Sequence, residues 1–300
     1  LMSTEKSTLS ERITENDLLP RAKYLIVSYP ALSLGLFFIV PLTMLVVVST
    51  FQNIEGGFFE PASTLENYVR FFRSDLFQGR MIYTLQVAGV TTILSLAIGY
   101  PLAYYIASLK SELWRRAYLS VIVSSLFLTF IIRGFAWQVL LSSESIVPTI
   151  AAALGILDEP VALVPSYFAL VIGMVYVFLP FMILTLYTSI REVDDSLKEA
   201  SRSLGARPLR TFREVTLPLT KNGIISGSML VFVLSLGVYV LPRILGNPSE
   251  WTLAVLIGNQ VGVEGNIPYG AAISIVLLIV VGMILATGWY LIGGQRRASI

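Results

Sequence analysis

Residues 199–219 read EASRSLGARPLRTFREVTLPL, a run rich in Arg, Glu and Ser set between two long apolar stretches. Just upstream, Ser196 and Glu199 have the spacing of a capping box, and Asp194 and Asp195 suit the positive end of a helix. Leu197, Ala200, Ser201 and Leu204 then recur at i, i+3, i+4 and i+7, with Gly205 where a left-handed C-cap belongs. Pro208 suits the first turn of a second helix, Leu209, Phe212 and Val215 or Thr216 form a second stripe, and Pro218 marks the entry to the next apolar stretch. The expectation is a helix-turn-helix held against a membrane.

The membrane follows from composition. The chain of 300 residues is 55% hydrophobic and 13% charged, with mean hydropathy +0.76, whereas soluble domains carry roughly a quarter charged residues. A helix needs about 20 mostly apolar residues to cross the hydrocarbon core. Six stretches qualify: 25–50, 81–108, 118–142, 164–189, 222–242 and 270–293. The first is longer than a signal-peptide core and lacks a small-residue cleavage pattern, so it is expected to be retained. Pro148–Leu157 is too short to span and is expected as a surface helix. Pro30, Pro41, Pro101 and Pro180 fall within spans and are expected to mark kinks.

Basic residues accumulate in cytoplasmic connections. The N-terminus, 109–117, 190–221 and the C-terminus hold sixteen of the 21, against four (Arg70, Arg73, Arg80 and Arg243) on the other side and Arg133 inside the third span. Both termini and the 190–221 connection are therefore expected in the cytoplasm. This gives a 1–24 tail, a transmembrane domain over 25–293 and a 294–300 tail. The positive-inside rule alone accounts for most of Arg207, Arg210 and Arg213, but not for the order of residues around them.

Several function classes drop out. The chain has no Cys and no His, so disulfides and the commonest metal ligands are missing. A net charge of +2 is no footprint for nucleic acid. No lysine sits in a G-x-x-x-x-G-K-[ST] context that would cradle ATP phosphates. An ion-coupled transporter usually carries intramembrane carboxylates, yet every Asp and Glu lies outside the six spans. A transport pathway of this kind needs an energy source on another chain. An ion-coupled transporter acting alone and a non-transporting scaffold remain as the competing readings.

The order Glu199-Ala200-Ser201, three residues, Gly205, nine residues, Val215, one residue, Leu217-Pro218 resembles the EAA signature E-A-A-x3-G-x9-I-x-L-P of ABC importer permeases. Ser201 stands for the second Ala and Val215 for Ile. YVLPRILGNPSEWTLAVLIGNQ (239–260), NIPYGAA (266–272) and IIRGFAWQVLL (131–141) resemble permeases of the spermidine/putrescine importer group. This resemblance implies an all-α, polytopic type I importer permease (MetI-like) fold in a bacterial cytoplasmic membrane. It also implies that 190–221 is a coupling helix docking on an ATPase through Glu199, Ala200, Ser201, Leu204, Gly205, Arg207, Phe212, Leu217 and Pro218. No catalytic residue, metal or cofactor is expected on this chain; ATP and Mg belong to the partner ATPase. The implied complex has two ATPase subunits, a second permease that is a different chain, and an extracytoplasmic solute-binding protein.

Four residues are candidates for the solute pathway. Arg133 would cost roughly 2.5 to 3.5 kcal/mol facing lipid at mid-membrane, so it should face the interior or snorkel outward, either anchoring carbonyls or meeting solute. Trp137 shares its helix face and is a pathway or belt aromatic. Tyr176 and Tyr239 either are packed or offer rings to a cationic amine. The spans hold no carboxylate to meet a polyamine, so selectivity could lie in the binding protein and the partner permease. Glu144, Asp158, Glu159, Glu250 and Glu264 on the outer loops are candidates to touch that binding protein, or else solvated caps.

Overall fold

Backbone groups in lipid have no water to bond, so each apolar stretch closes its hydrogen bonds on itself as a helix. The computed structural model of the chain describes residues 30, 32–54, 59–156 and 158–297. The expected 1–24 tail, the first residues of the expected 25–50 span, Leu157 and residues 298–300 lie outside the described residues. In chain order the helices are α1 (Leu32–Ser49), α2 (Glu66–Arg73), α3 (Asp75–Ser108), α4 (Glu112–Leu126), α5 (Phe130–Leu140), α6 (Ile146–Ala153) and α7 (Tyr167–Arg191). There follow α8 (Asp195–Ser203), α9 (Pro208–Thr211), a π turn (Phe212–Thr216), α10 (Leu217–Leu219), α11 (Lys221–Leu236), α12 (Val240–Leu245), α13 (Leu253–Gly262) and α14 (Ile267–Arg297). Among the described residues the extended pairing is a single bridge between Gln52 and Glu60.

By length and apolarity, α1, α3, α7 and α14 can each cross a membrane, and two bent pairs bring the number to six. The first pair replaces the expected straight span 118–142 with α4 and α5, set at 97°. Thr129 is extended at the break, and its hydroxyl accepts the Ile132 N–H at 3.4 Å to start α5. Just before it the Ser125 hydroxyl bonds back to the Ile122 carbonyl. Such side chains offer the backbone an alternative to the helical ladder, which an apolar count does not register.

The second pair joins Pro208–Leu219 to α11 at 64°. The expected span 222–242 stops at Leu236, where Gly237 caps the helix, and the chain restarts as α12 packed on α5. The stretch beyond it, expected as an outer loop, folds into the apolar α13, whose first N–H (Leu253) is accepted by the Thr84 hydroxyl at 2.8 Å. The remaining spans differ at their ends: α3 starts at Asp75, and α14 covers Ile267–Arg297 rather than 270–293. The short helix expected at 148–157 is α6. α3 and α7 continue through Pro101 and Pro180.

α3, α7 and α11 pack on one another as the centre of the molecule. Their shared core includes Val87, Ala103, Met174, Phe178, Met182 and Leu186. Gly223 on α11 lets the backbones close up: a Cβ there would lie 2.3 Å from the Ser189 Cβ on α7. Small residues serve this role in lipid, where the drive for helices to associate is packing rather than escape from water. A second cluster, centred on Tyr269 of α14, joins Phe71, Phe77 and Leu253. Most of α1 is exposed.

Candidate functional site

The elbow of residues 194–220 connects two of the three central helices, α7 and α11. Its first helix is capped by Asp194 rather than by the expected Ser196: the Asp194 carboxylate accepts the Ser196 N–H at 2.9 Å. That backbone bond holds the Asp194 carboxyl below its ordinary range. Asp195 is likewise held down, first by its hydrogen bond from Lys198 at 2.8 Å. At the other end of α8, Gly205 adopts φ +82°. The Gly205 N–H donates to Arg202 and the Ala206 N–H to Ser201, the two bonds of a Schellman cap.

The second half of the elbow turns inward. Pro208 occupies the first turn of α9, where its missing N–H costs nothing. The Ser201 and Thr211 hydroxyls meet at 3.1 Å, tying α8 to α9 through the very side chain that departs from the Ala of the signature. The following turn widens to π geometry. Pro218 cannot donate to the Glu214 carbonyl and its ring crowds it, which accounts for the shifted ladder. Phe212 then stands edge-on to two rings of α3, Tyr100 at 5.7 Å and Tyr104 at 5.4 Å between centroids. The Tyr100 and Thr220 hydroxyls share a hydrogen bond of 2.8 Å.

The predicted elbow residues therefore divide by position. Leu204 is the tip, 89% exposed. Glu199, Ala200, Gly205, Arg207, Leu217 and Pro218 are also exposed, Ser201 is partly buried, and Phe212 packs inward on α3. Leu209, expected in the stripe with Phe212, points out at 67% exposure, whereas Thr216 is fully buried. Tyr100, Tyr104, Thr211 and Thr220 were not among the predicted residues. The signal for the two tyrosines was present, an i, i+4 aromatic pair near the basic end of an apolar helix.

Of the four pathway candidates the structure brings three together. Arg133 on α5 is 2% exposed and donates from Nη1 to the Val177 carbonyl of α7 at 3.3 Å. The adjacent Tyr176 carbonyl faces Pro180, which has no N–H to give it. The Arg133 guanidinium lies 5.9 Å from the Tyr176 ring centroid, and that ring meets Trp137 edge-on at 5.7 Å. All three line a cavity of about 170 Å³. Tyr239 sits elsewhere: its hydroxyl accepts from Arg243, whose guanidinium lies 5.4 Å from its ring and 5.9 Å from that of Trp251. Each tyrosine nominated to greet an amine already faces an arginine of the same chain.

The comparisons with known proteins agree with one another. Residues 99–298 match the family described as binding-protein-dependent transport system inner membrane component. The chain is 34% identical to the spermidine/putrescine transport system permease protein PotB of Escherichia coli (strain K12) over 260 residues, 85% of this chain and 92% of that one. It is 32% identical to PotB of Haemophilus influenzae (strain ATCC 51907 / DSM 11121 / KW20 / Rd), covering 83% and 87%. Among solved structures it resembles a chain of a bacterial alginate ABC transporter in complex with its alginate pentasaccharide-bound periplasmic protein. There the TM-score is 0.70 and the identity 18%, over 92% of this chain and 94% of that one.

Proposed function

This chain belongs to the family of binding-protein-dependent transport system inner membrane components, and from that premise we propose that it forms half of the translocation pathway for a polyamine such as spermidine or putrescine. It is a multi-pass protein of a bacterial inner membrane, and ATP hydrolysis belongs to a separate subunit of the importer. We place the basic side, with both termini and the elbow, in the cytoplasm; the support is the sixteen basic residues gathered there.

One observation carries the mechanism. The elbow offers an exposed apolar tip at Leu204, while its root is fastened to α3 through Phe212 and Thr220. An ATPase pair that closes on ATP and Mg would draw this tip toward its counterpart on a second, different permease. Because Phe212 is seated between Tyr100 and Tyr104, the pull reaches α3, and through Thr220 it reaches α11. The core then shifts between two packings as a body, the kind of switch that differential binding of ATP can bias.

Within this proposal Glu199, Ala200, Ser201, Leu204, Gly205, Arg207, Leu217 and Pro218 form or shape the docking surface, and Phe212 transmits the pull. Arg133, Trp137 and Tyr176 form a wall of the pathway on α5 and α7. Since the Tyr176 and Tyr239 rings face arginines, an amine gains little from them, and selection of the solute falls to the binding protein and the partner permease. Glu144, Asp158, Glu159, Glu250 and Glu264 are the acidic candidates for contact with that binding protein. The test is to isolate the complex and add its binding protein loaded with spermidine, putrescine or other solutes. Polyamine-loaded protein should raise ATP hydrolysis; uptake driven by an ion gradient without ATP would instead support a transporter acting alone.

A further inference from the structure

A cleft of about 380 Å³ lies between the α3–α4 turn and the root of α8. Five basic residues line it (Lys110, Arg115, Arg191, Lys198 and Arg202) against two acidic ones, Asp195 and Glu199. Arg115 is spent on Glu112 and Lys198 on Asp195. Lys110, Arg191 and Arg202 have no carboxylate within ion-pair distance among the described residues; the latter two act on Asp195 only through their field. The cleft is thus a concave surface with cationic groups in excess.

Its depth relative to the membrane is marked independently. Tyr104, Ala107 and Ser108 in its wall form the last turns of the apolar α3, and Arg191 ends the apolar α7. Beside it Tyr105, Trp114 and Tyr118 form an exposed aromatic group, with Tyr118 within 5.9 Å of Tyr105 and 6.5 Å of Trp114 between ring centroids. Exposed Trp and Tyr at the ends of apolar helices occupy the headgroup layer. Guanidinium groups there match phosphate oxygens in geometry as well as charge.

We infer that this cleft binds the phosphate of an anionic phospholipid, which bridges the α3–α4 turn to the coupling elbow. The inference rests on the cytoplasmic placement of the elbow proposed above. A lipid so held would lower the freedom of α8 before any ATPase docks, and would make coupling depend on the headgroup composition of the membrane.

The test uses the full chain co-expressed with its permease and ATPase partners. After exchange into mixed phosphatidylglycerol and phosphatidylcholine, native mass spectrometry reads the retained lipid and the attached subunits together. Wild type should retain phosphatidylglycerol over phosphatidylcholine by roughly tenfold. The double variant Lys110→Gln, Arg191→Gln should erase this preference while the subunits stay attached, and Arg191→Lys should keep part of it. Equal retention of both lipids by wild type, or an unchanged preference in the double variant, overturns the inference. So does a double variant that keeps its phosphatidylglycerol and sheds the ATPase, since the cleft is then a protein interface. In a parallel arm, inorganic phosphate is added to complexes in phosphatidylcholine nanodiscs; if it reproduces the effect of phosphatidylglycerol on ATP hydrolysis, the site takes free phosphate and the lipid assignment fails. A wild-type spectrum with bound lipid but no ATPase would overturn the importer proposal instead, so the two failures are told apart.

Discussion

Phe212 and Tyr104 meet edge to face with ring centroids 5.4 Å apart, so the elbow touches α3 through a side chain that points away from the exposed tip. An edge-to-face aromatic pair contributes about 0.5 to 1.5 kcal/mol beyond area burial, and Phe212 makes two. Phe212→Ala should leave ATPase subunits attached, because the ring faces inward, but lower uptake per ATP by about tenfold. Side-by-side pull-down and uptake assays check this; loss of the ATPase would move Phe212 to the docking surface.

Gly205 holds φ +82°, a left-handed conformation that costs an L residue about 1 to 2 kcal/mol. Nothing lies within 4 Å of a Cβ there, so any penalty is conformational rather than steric. Gly205→Val should disrupt the Schellman cap and abolish ATPase co-purification with membrane insertion intact. Gly205→Asn should be intermediate, as Asn tolerates this conformation best of the L residues. Equal binding by both variants would count against a docking role.

Gly223 and Gly79 form a controlled pair. A Cβ at Gly223 strikes Ser189, whereas one at Gly79 meets nothing within 4 Å. Gly223→Leu should force α11 from α7 and destabilise the fold by about 1 to 3 kcal/mol, the usual cost of overpacking. Gly79→Ala should be neutral or slightly stabilising. Thermal unfolding of the detergent-solubilised protein reads both.

Arg133 sets two effects against each other. It is buried with one hydrogen bond to Val177, and its Nε has no partner. Replacing an incompletely paired buried charge by an apolar side chain of similar length is often neutral or stabilising. Arg133→Met should therefore hold or raise the melting temperature, yet reduce uptake because α5 loses its tie to α7. A melting temperature several degrees lower would mean that the bond to Val177 outweighs the cost of burying the charge.

The Asp194 cap carries a pH dependence whose sign follows from its lowered pKa. The carboxylate is favoured in the folded helix by the Ser196 N–H, so its stabilisation is fully present above the ordinary carboxylate range and is lost as pH falls through the lowered value. Protection of the amides at residues 195–198, taken as the intrinsic exchange rate divided by the observed rate, should fall on acidification. Asp194→Asn should reduce that response while keeping the cap, leaving the part that comes from Asp195 and its bond from Lys198. A response of equal size in the Asn variant would exclude Asp194 as its source.

Apolar length and the Gly and Pro punctuation of residues 194–220 determined much of this protein without any coordinates. They set the membrane class, four unbroken spans, the α6 helix, the left-handed Gly205 and the first-turn Pro208. These are local matters, since helix length is dictated by the bilayer and cap conformation by the residue that occupies it. Tertiary packing decided the rest. The bend at Thr129 and the helix end at Gly237 both fall inside stretches that an apolar count reads as continuous spans, and the first N–H of α13 is bonded by a hydroxyl of the distant Thr84. Likewise Ser196 has the sequence spacing of a cap, but the turn entering α8 hands that place to Asp194. Arg133, Trp137 and Tyr176 were separate candidates until α5 folded across α7 and made them neighbours. Spacing along one helix states which residues share a face; it carries no information on which helix that face will meet.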